Sequence, residues 1–443
     1  MRSRAFVLTG PARFAMGLPT IIYSWGVPMV DRRTFTTLLA GTIAAPSLAF
    51  GKLMTFKNVF YSAVGPELTA YGVDVDNATL FKQSTVTAPA NIQYAWRHPK
   101  KRFLYVVSSN GGPAAGEATG SVHAANVFAI DRTNGTLKPL GQTIKLASRP
   151  IHASVDMSGR YLLIAYNKPS GLTVHRINTD GTIGYQVEQP NKLDTGIFAH
   201  QIRVTPDNKH VILITRGNNA PVDNPIDPGS IKTFAFKDGV LTNLAAIAPG
   251  DGTHFGPRHL DFHRKKPWAF VSIESQNQLA VYKLEDATGL SREPMFAMKN
   301  TLSDPNSKLR QAAGPIHVGP NGRFVYLTNR AWWTTEVEGK KVYAGGENSV
   351  AVFSIDQKTG EPTLIQNADG HGNYLRTFNV DPSGKLLIAG ALWPMPMRDG
   401  TTQPAAIVLY RVGNDGKLTF ARKYDIDASE QKQQFWAGLV TLA

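Results

Sequence analysis

Six residues of this chain form a set that could do chemistry together: one imidazole, His200; one carboxylate, Glu274; and four guanidiniums, Arg216, Arg258, Arg330 and Arg376. A carboxylate or an imidazole can take a proton from water, and an arginine keeps its charge while offering a planar fork of donors to an oxyanion, a carboxylate or a phosphate. Spacing is what assembles them. A Pro/Gly/basic turn recurs ahead of an apolar run, as in Pro99-Lys100-Lys101-Arg102-Phe103 and Pro320-Asn321-Gly322-Arg323-Phe324, and its first positions (99, 157, 206, 264, 320 and 382) lie 49 to 62 residues apart. Six residues before each turn stand Gln93, Ile151, His200, Arg258, Gly314 and Arg376; ten after it stand Ser109, Asn167, Arg216, Glu274, Arg330 and Leu392. The strands entering and leaving a turn are antiparallel, so both sets fall on one rim. Polar rim residues commonly just bond one repeat to the next. A concentration of arginines around one glutamate and one histidine is what points to function here.

The elements that must carry these residues are hairpins. Seven segments, 71–80, 127–137, 174–183, 231–241, 281–290, 352–364 and 408–418, run from apolar alternation into an Asp/Asn/Gly turn and end on a small apolar residue. Turns such as Thr133-Asn134-Gly135 supply residues that tolerate positive φ, and the alternation puts one strand face against a core. One hairpin cannot bury its face alone, so such units stack. Four strands fit each repeat step, and antiparallel four-stranded units repeated radially hide their edges by closing a ring. The expected fold is therefore all-β, a seven-bladed propeller with four antiparallel strands per blade. Closure is expected through pairing of residues 58–63 with 435–442. The loop-like stretches 109–120, 218–229 and 331–347 lie inside repeats and read as rim loops.

The first fifty residues are of another kind. Asp31-Arg32-Arg33-Thr34-Phe35 precedes an apolar, uncharged run over 36–50 that holds Ser47-Leu48-Ala49. This is the pattern of a twin-arginine export signal cut after Ala49, with Met29 as an alternative start. The run is too short to span a bilayer and is broken by Pro46. The expected organisation is a signal region over 1–49 and one propeller domain over 50–443, at work in the periplasm without stable membrane insertion once the signal is removed. Five arginines and one aspartate precede Phe50, so the formal charge of +14 for all 443 residues becomes +10 beyond it. A basic surface favours anionic partners, but neither an aromatic RNA-binding stripe nor a helix-turn-helix is present, and nucleic acid is not an expected partner. With no cysteine, disulfides, thiol nucleophiles and thiolate metal sites are excluded.

At the same residues the chain resembles a known family. Gly256-Pro257-Arg258-His259 with Phe262-His263, then Ser272-Ile273-Glu274 and Asn277, is similar to that family's GPRH, FHP and NE…N signatures. Ala199-His200-Gln201, Ile316-His317, Asn329-Arg330 and Phe378-Asn379-Val380-Asp381-Pro382 follow in the family's order. The family is the seven-bladed propeller lactonases, which includes bacterial 6-phosphogluconolactonase and fungal carboxymuconate lactonizing enzymes. The resemblance implies a lactone hydrolase or lactonizing enzyme acting without metal or other cofactor, a monomer, on an anionic sugar- or muconate-type lactone. It implies His200, Arg258, Glu274 and Arg330 as the catalytic group, with His152, His259, His317, Arg216 and Arg376 binding substrate. Glu274 and His200 both qualify as the base; Arg258 suits the oxyanion and Arg330 an anionic substituent.

Two departures bear on substrate identity. Thr215-Arg216-Gly217 stands where the family has Asp-Leu-Gly, and Ala391-Leu392-Trp393 where a glutamine is expected. Phosphorylated sugar lactones are cytoplasmic, so an exported enzyme would not meet them. Other readings compete. A non-catalytic exported propeller that binds a ligand or partner protein is the alternative from another class. His259, Asp261 and His263 alternate at period two and could offer three metal ligands, although such a strand triple is more often hydrogen-bonded structure. Trp332-Trp333 reads equally as a sugar platform or a lid anchor. No GxSxG elbow and no Trp-Asp dipeptide occur.

Overall fold

The computed structural model describes residues 55–100, 103–112, 117–218 and 227–442. The expected export signal over 1–49 lies outside them. Each of the seven hairpins forms, and each supplies the outer half of a sheet. The inner strands, one per blade, are Gln434–Thr441, Ile92–Arg97, Arg149–Val155, Ala199–Val204, Pro257–Phe262, Ala312–Val318 and Leu375–Val380, here blades 1 to 7. Every inner strand touches the next around the ring. Blade 5 departs from the plain pattern, its outer strand being split into the short pairings Gly289–Leu290 and Lys299–Asn300.

The ring closes as the alternation requires. In blade 1 the C-terminal strand pairs antiparallel with Asn58–Val64, running from Asn58 opposite Thr441 to Ala63 opposite Trp436. Closure makes the C-terminal strand the inner strand of blade 1, so neither end of the described ring leaves a dangling strand. The buried apolar side chains fall into seven clusters; six are each shared by two neighbouring blades, and the one between blades 3 and 4 also takes in Leu392 of blade 7 and Phe435 of blade 1. The seventh joins the ends of the ring, packing Phe60, Val73 and Leu80 on Leu386, Ile388 and Leu409. Each fully buried side chain of this size contributes roughly 1.5–3 kcal/mol against exposure, so no blade is stable by itself and all seven hold together.

The turn glycines have a packing role. Gly181, at φ +91°, lies against Phe103 of the preceding blade, where a Cβ would come within 2.3 Å of the ring. Its carbonyl takes a hydrogen bond from Tyr105 Oη at 2.9 Å. Tyr61 to Gly135 repeats the bond between blades 1 and 2, and Tyr326 to Gly416 between blades 6 and 7.

One irregularity aims side chains at the axis. Every inner strand slips register by a β-bulge near its rim end, and the extra residue is Gln93, Ile151, His200, Arg258, Arg376 or Phe435, or the Gly314-Pro315 pair. Six of these are the positions that fall six residues before the turn. A bulge makes two consecutive residues face the same side. The channel is consequently lined in three layers: the bulged residues at the upper mouth, the residues just after them in the middle (Tyr94, His152, His259, Trp436), and those two further on at the lower mouth (Trp96, Arg203, Asp261, His317, Asn379).

Candidate active site

Local backbone sets up the upper mouth. Two residues before His200, Arg258 and Arg376 stand Phe198 (φ +57°), Gly256 (φ +49°) and Tyr374 (φ +55°), all left-handed. At Gly256 a side chain would be crowded as well as strained, since its Cβ would lie 1.8 Å from Ser275 Oγ and 2.8 Å from Ser275 Cβ. At Phe198 and Tyr374 a bulky residue accepts this conformation at a cost of about 1–3 kcal/mol. What the strain achieves is visible: the Phe198 ring lies 4.8 Å from the Arg216 guanidinium, and the Tyr374 ring 4.9 Å from that of Arg330.

Glu274 directly follows the second strand of blade 5, Trp268–Ile273, as the first residue of a 3-10 turn, and holds three arginines. Its Oε1 accepts from Arg330 Nη2 at 2.6 Å and lies 3.5 Å from Arg258 Nε, while Oε2 accepts from Arg216 Nη1 at 3.2 Å. Arg330 also donates from Nη2 to the Ala313 carbonyl at 2.7 Å. Burial would raise the Glu274 carboxyl, but the charges of Arg216, Arg330 and Arg258 outweigh it and hold the group at about 2. Arg376 stands apart from the carboxylate, its guanidinium 3.6 Å from the centre of the Phe435 ring, and burial lowers it to about 10.

The mouth is left with more cation than anion and with donors to spare. Buried and without hydrogen-bond partners are Arg258 Nη1, Arg330 Nε and Nη1, and Arg376 Nε. Several buried polar atoms elsewhere in the chain also lack partners, but only here do unpartnered guanidinium donors gather around one carboxylate and one imidazole among the described residues, an arrangement suited to receiving an anion. His200 is in the same position: its ring makes no hydrogen bond among the described residues, and Nδ1 is buried and free. Burial, then the charges of Arg258, Arg376, Arg216 and Arg330, push its pKa well below the ordinary histidine value, so the imidazole is neutral with a lone pair available at neutral pH.

The other expected site residues divide by layer. His259 is in the middle layer, its ring 5.1 Å from that of His200, and is likewise kept neutral by burial and by Arg258. His152 is in the same layer, its ring tilted against Tyr94 with centroids 3.9 Å apart, and its Nδ1 accepts the Ile202 amide at 3.4 Å, a bond between blades. His317 is not at this mouth. It belongs to the lower layer, with Nδ1 3.7 Å from Asp261 and Nε2 3.4 Å from Asn379, because it lies three residues before its turn, where period two carries it one layer down.

The alternating histidine triple does not converge. His259 and Asp261 face the channel, whereas His263 accepts the Lys265 and Lys266 amides at Nδ1 and bonds through Nε2 to Gly322 O of the next blade at 2.9 Å. The described residues contain no group of three or more metal-ligating side chains. Trp332 is stacked on Trp333 at 3.8 Å and on Tyr374 at 4.3 Å, contacts that occupy its ring and count against an open sugar platform. Next to Leu392, the buried Gln434 donates to Ala391 O and Ala406 O, so a glutamine from the closing strand fills that end of blade 7.

Arg149 and Phe435 were not foreseen. Arg149 is 2% exposed, bonds Gln93 through Nη2 and Gly111 O through Nε, and leaves Nη1 without a partner at the edge of the upper mouth. It stands two residues before the bulged Ile151, outside the counted offset. Phe435 is the seventh bulged residue, and no turn of the repeating kind follows it.

A closed seven-bladed ring with one carboxylate organising arginines around a free imidazole has the makings of a hydrolytic propeller enzyme. Residues 59–392 match the family described as Lactonase, 7-bladed beta-propeller. The chain belongs to that family, which makes it a lactonase by class and sets aside the non-catalytic alternative. The 6-phosphogluconolactonase of Bacillus subtilis strain 168 is 26% identical over 339 residues, covering 74% of this chain and 85% of that protein. That of Formosa agariphila is 25% identical over 319 residues, covering 69% and 79%. The fold is shared with the periplasmic gluconolactonase of Pseudomonas aeruginosa, at a TM-score of 0.64 and 17% identity over 87% of this chain and 99% of that one.

Proposed function

We propose that the upper mouth hydrolyses a lactone bearing an anionic substituent, with His200 as the base, Arg258 on the developing oxyanion, and Arg330 and Arg376 on the substituent. The carrying observation is the set of buried, unpartnered donors around a single carboxylate. Glu274 is already spent on three guanidiniums and, at about 2, is a weak base. His200 is the group with a free lone pair. It takes a proton from water as the water oxygen bonds to the ring carbonyl carbon; the C–O bond to the ring oxygen then breaks, and the proton returns to the leaving alkoxide. An anionic substrate also offsets the arginine charges that depress His200, so binding restores some of its basicity. Run backwards, the same groups close a lactone. The excess of arginine disfavours a divalent cation, so the reaction proposed uses no metal.

The free-enzyme pH profile tests the base. Since His200 is held well below 6.5, kcat/KM for a carboxylated lactone is expected to stay level as pH falls through about 6.5, the ordinary histidine value, and to decline only in more acid solution. A profile already halved at that pH would rule out this imidazole as the base.

The working compartment proposed is the periplasm, reached through the signal region 1–49 with the propeller over 50–443 as the folded cargo. A receptor reads the arginine pair as such. Replacing Arg32 and Arg33 together by lysine should therefore retain the protein in the cytoplasm, and an undiminished periplasmic fraction would refute the assignment. Outside the cytoplasm a carboxylated lactone suits the arginines better than a phosphorylated sugar. The partners proposed are small molecules alone, acting on a monomer.

A further inference from the structure

The channel has a second chamber that the chemistry above does not use. Below the middle layer a cavity of about 370 Å³ opens at the lower mouth, on the side of the Pro/Gly/basic turns. That size suits a small organic molecule. Its floor is aromatic: Tyr94 lies 3.9 Å from His152, tilted against it, and meets Trp436 at 6.1 Å, and His152 meets His259 at 6.0 Å, so four rings from four blades cross the axis between the two mouths. Trp96 and Phe378 continue the apolar wall.

The charges of this chamber are arranged differently from those above. Deep in the wall Asp261 is fully committed: Oδ1 accepts from Arg203 Nη2 at 3.3 Å and from the Phe262 amide, and Oδ2 accepts the Val318 amide at 3.0 Å. Arg203 in turn lies 4.7 Å over the Trp96 ring. At the lip stand Arg97 and Arg264, both exposed, and neither side chain has a hydrogen-bond or ion-pair partner among the described residues. Lost hydration within the lip, and the charge of Arg264 close by, lower the Arg97 guanidinium. Both guanidiniums line the same cavity, so an anion entering it meets two free forks of donors at the lip.

We propose that the lower chamber is a second ligand site, separate from the upper mouth, for a small planar organic anion whose ring lies against Trp96, Phe378 and Trp436 and whose carboxylate sits between Arg97 and Arg264. The ring supplies buried apolar area and the two forks supply the charge selectivity. The site does not depend on lactone turnover.

Calorimetric titration of the purified protein with 1-naphthoate, and with the uncharged 1-naphthalenemethanol, tests it. The expected result is saturable binding of one naphthoate per chain, at least about 10-fold tighter than the alcohol, with quenching of tryptophan fluorescence. Arg97→Gln with Arg264→Gln should weaken naphthoate about 10-fold or more while leaving melting temperature and lactone turnover unchanged, because both side chains are exposed and unpaired. His200→Asn, at the other mouth, should leave naphthoate affinity intact. The proposal is overturned by the absence of saturation up to about 5 mM, by equal affinity for acid and alcohol, or by binding that survives the lip variant and is lost on titration against a saturating lactone acid at the upper mouth.

Discussion

Replacing His200 by asparagine is expected to lower kcat by about 10²–10⁴-fold with KM little changed, because a proton acceptor that works only in the transition state is removed and no ground-state contact goes with it. Stability should barely move. The ring makes no hydrogen bond among the described residues, so the substitution strands no partner. That pairing of a large kinetic loss with an unchanged melting temperature separates a base from a residue that merely bonds blade to blade. Turnover within a few-fold of the parent protein would remove His200 from the chemistry and return attention to Glu274.

Glu274→Gln should behave in the opposite way. On residue types alone glutamine is a near isostere that would cost turnover and little else. The structure changes that expectation, because three guanidiniums converge on this one carboxylate. Removing its charge leaves Arg216, Arg258 and Arg330 facing one another in a buried site, a loss of about 3–5 kcal/mol. Activity falls as well, since the arginines lose the group that aims them. The carboxyl is held at about 2 in the folded chain against 4.5 for an unperturbed glutamate, so its stabilisation is complete above 4.5 and disappears as pH falls toward 2. The gap in stability between parent and variant should accordingly narrow across that interval. An unaltered melting temperature at neutral pH would show that Glu274 is not the organiser of the cluster.

The sequence carried the repeat and the rim with unusual directness, for a mechanical reason. A turn fixes the phase of both strands that leave it, so equal offsets from equal turns land at equal heights. The bulge then occurs at the same offset in each blade, which is why His200, Arg258 and Arg376 could be found by counting. Depth along the channel was harder to read. His152 and His259 lie five residues before their turns and face the middle layer, whereas His317 lies three before its own and faces the lower one; the bulge is what turns these positions toward the channel along with those six before the turn, and plain alternation does not show it. Phe435 escaped because blade 1 is assembled from both chain ends and has no turn of the repeating kind to count from. The roles within the Glu274 cluster were also closed to sequence. Whether a carboxylate serves as a base or as an anchor depends on how many cations reach it, and Arg216, Arg258 and Arg330 come from three separate strands and loops.

The upper mouth is proposed to open lactones and to select anionic ones. This is tested most directly by following ring opening of matched lactones, neutral and carboxylated, with and without a chelator, using His200→Asn as the control. The structure predicts turnover that favours the carboxylated lactones by about 10-fold or more in kcat/KM, is indifferent to chelator, and disappears in the control. Ring opening no faster than the spontaneous reaction for every lactone, or equal rates for the protein and its His200→Asn variant, would contradict it.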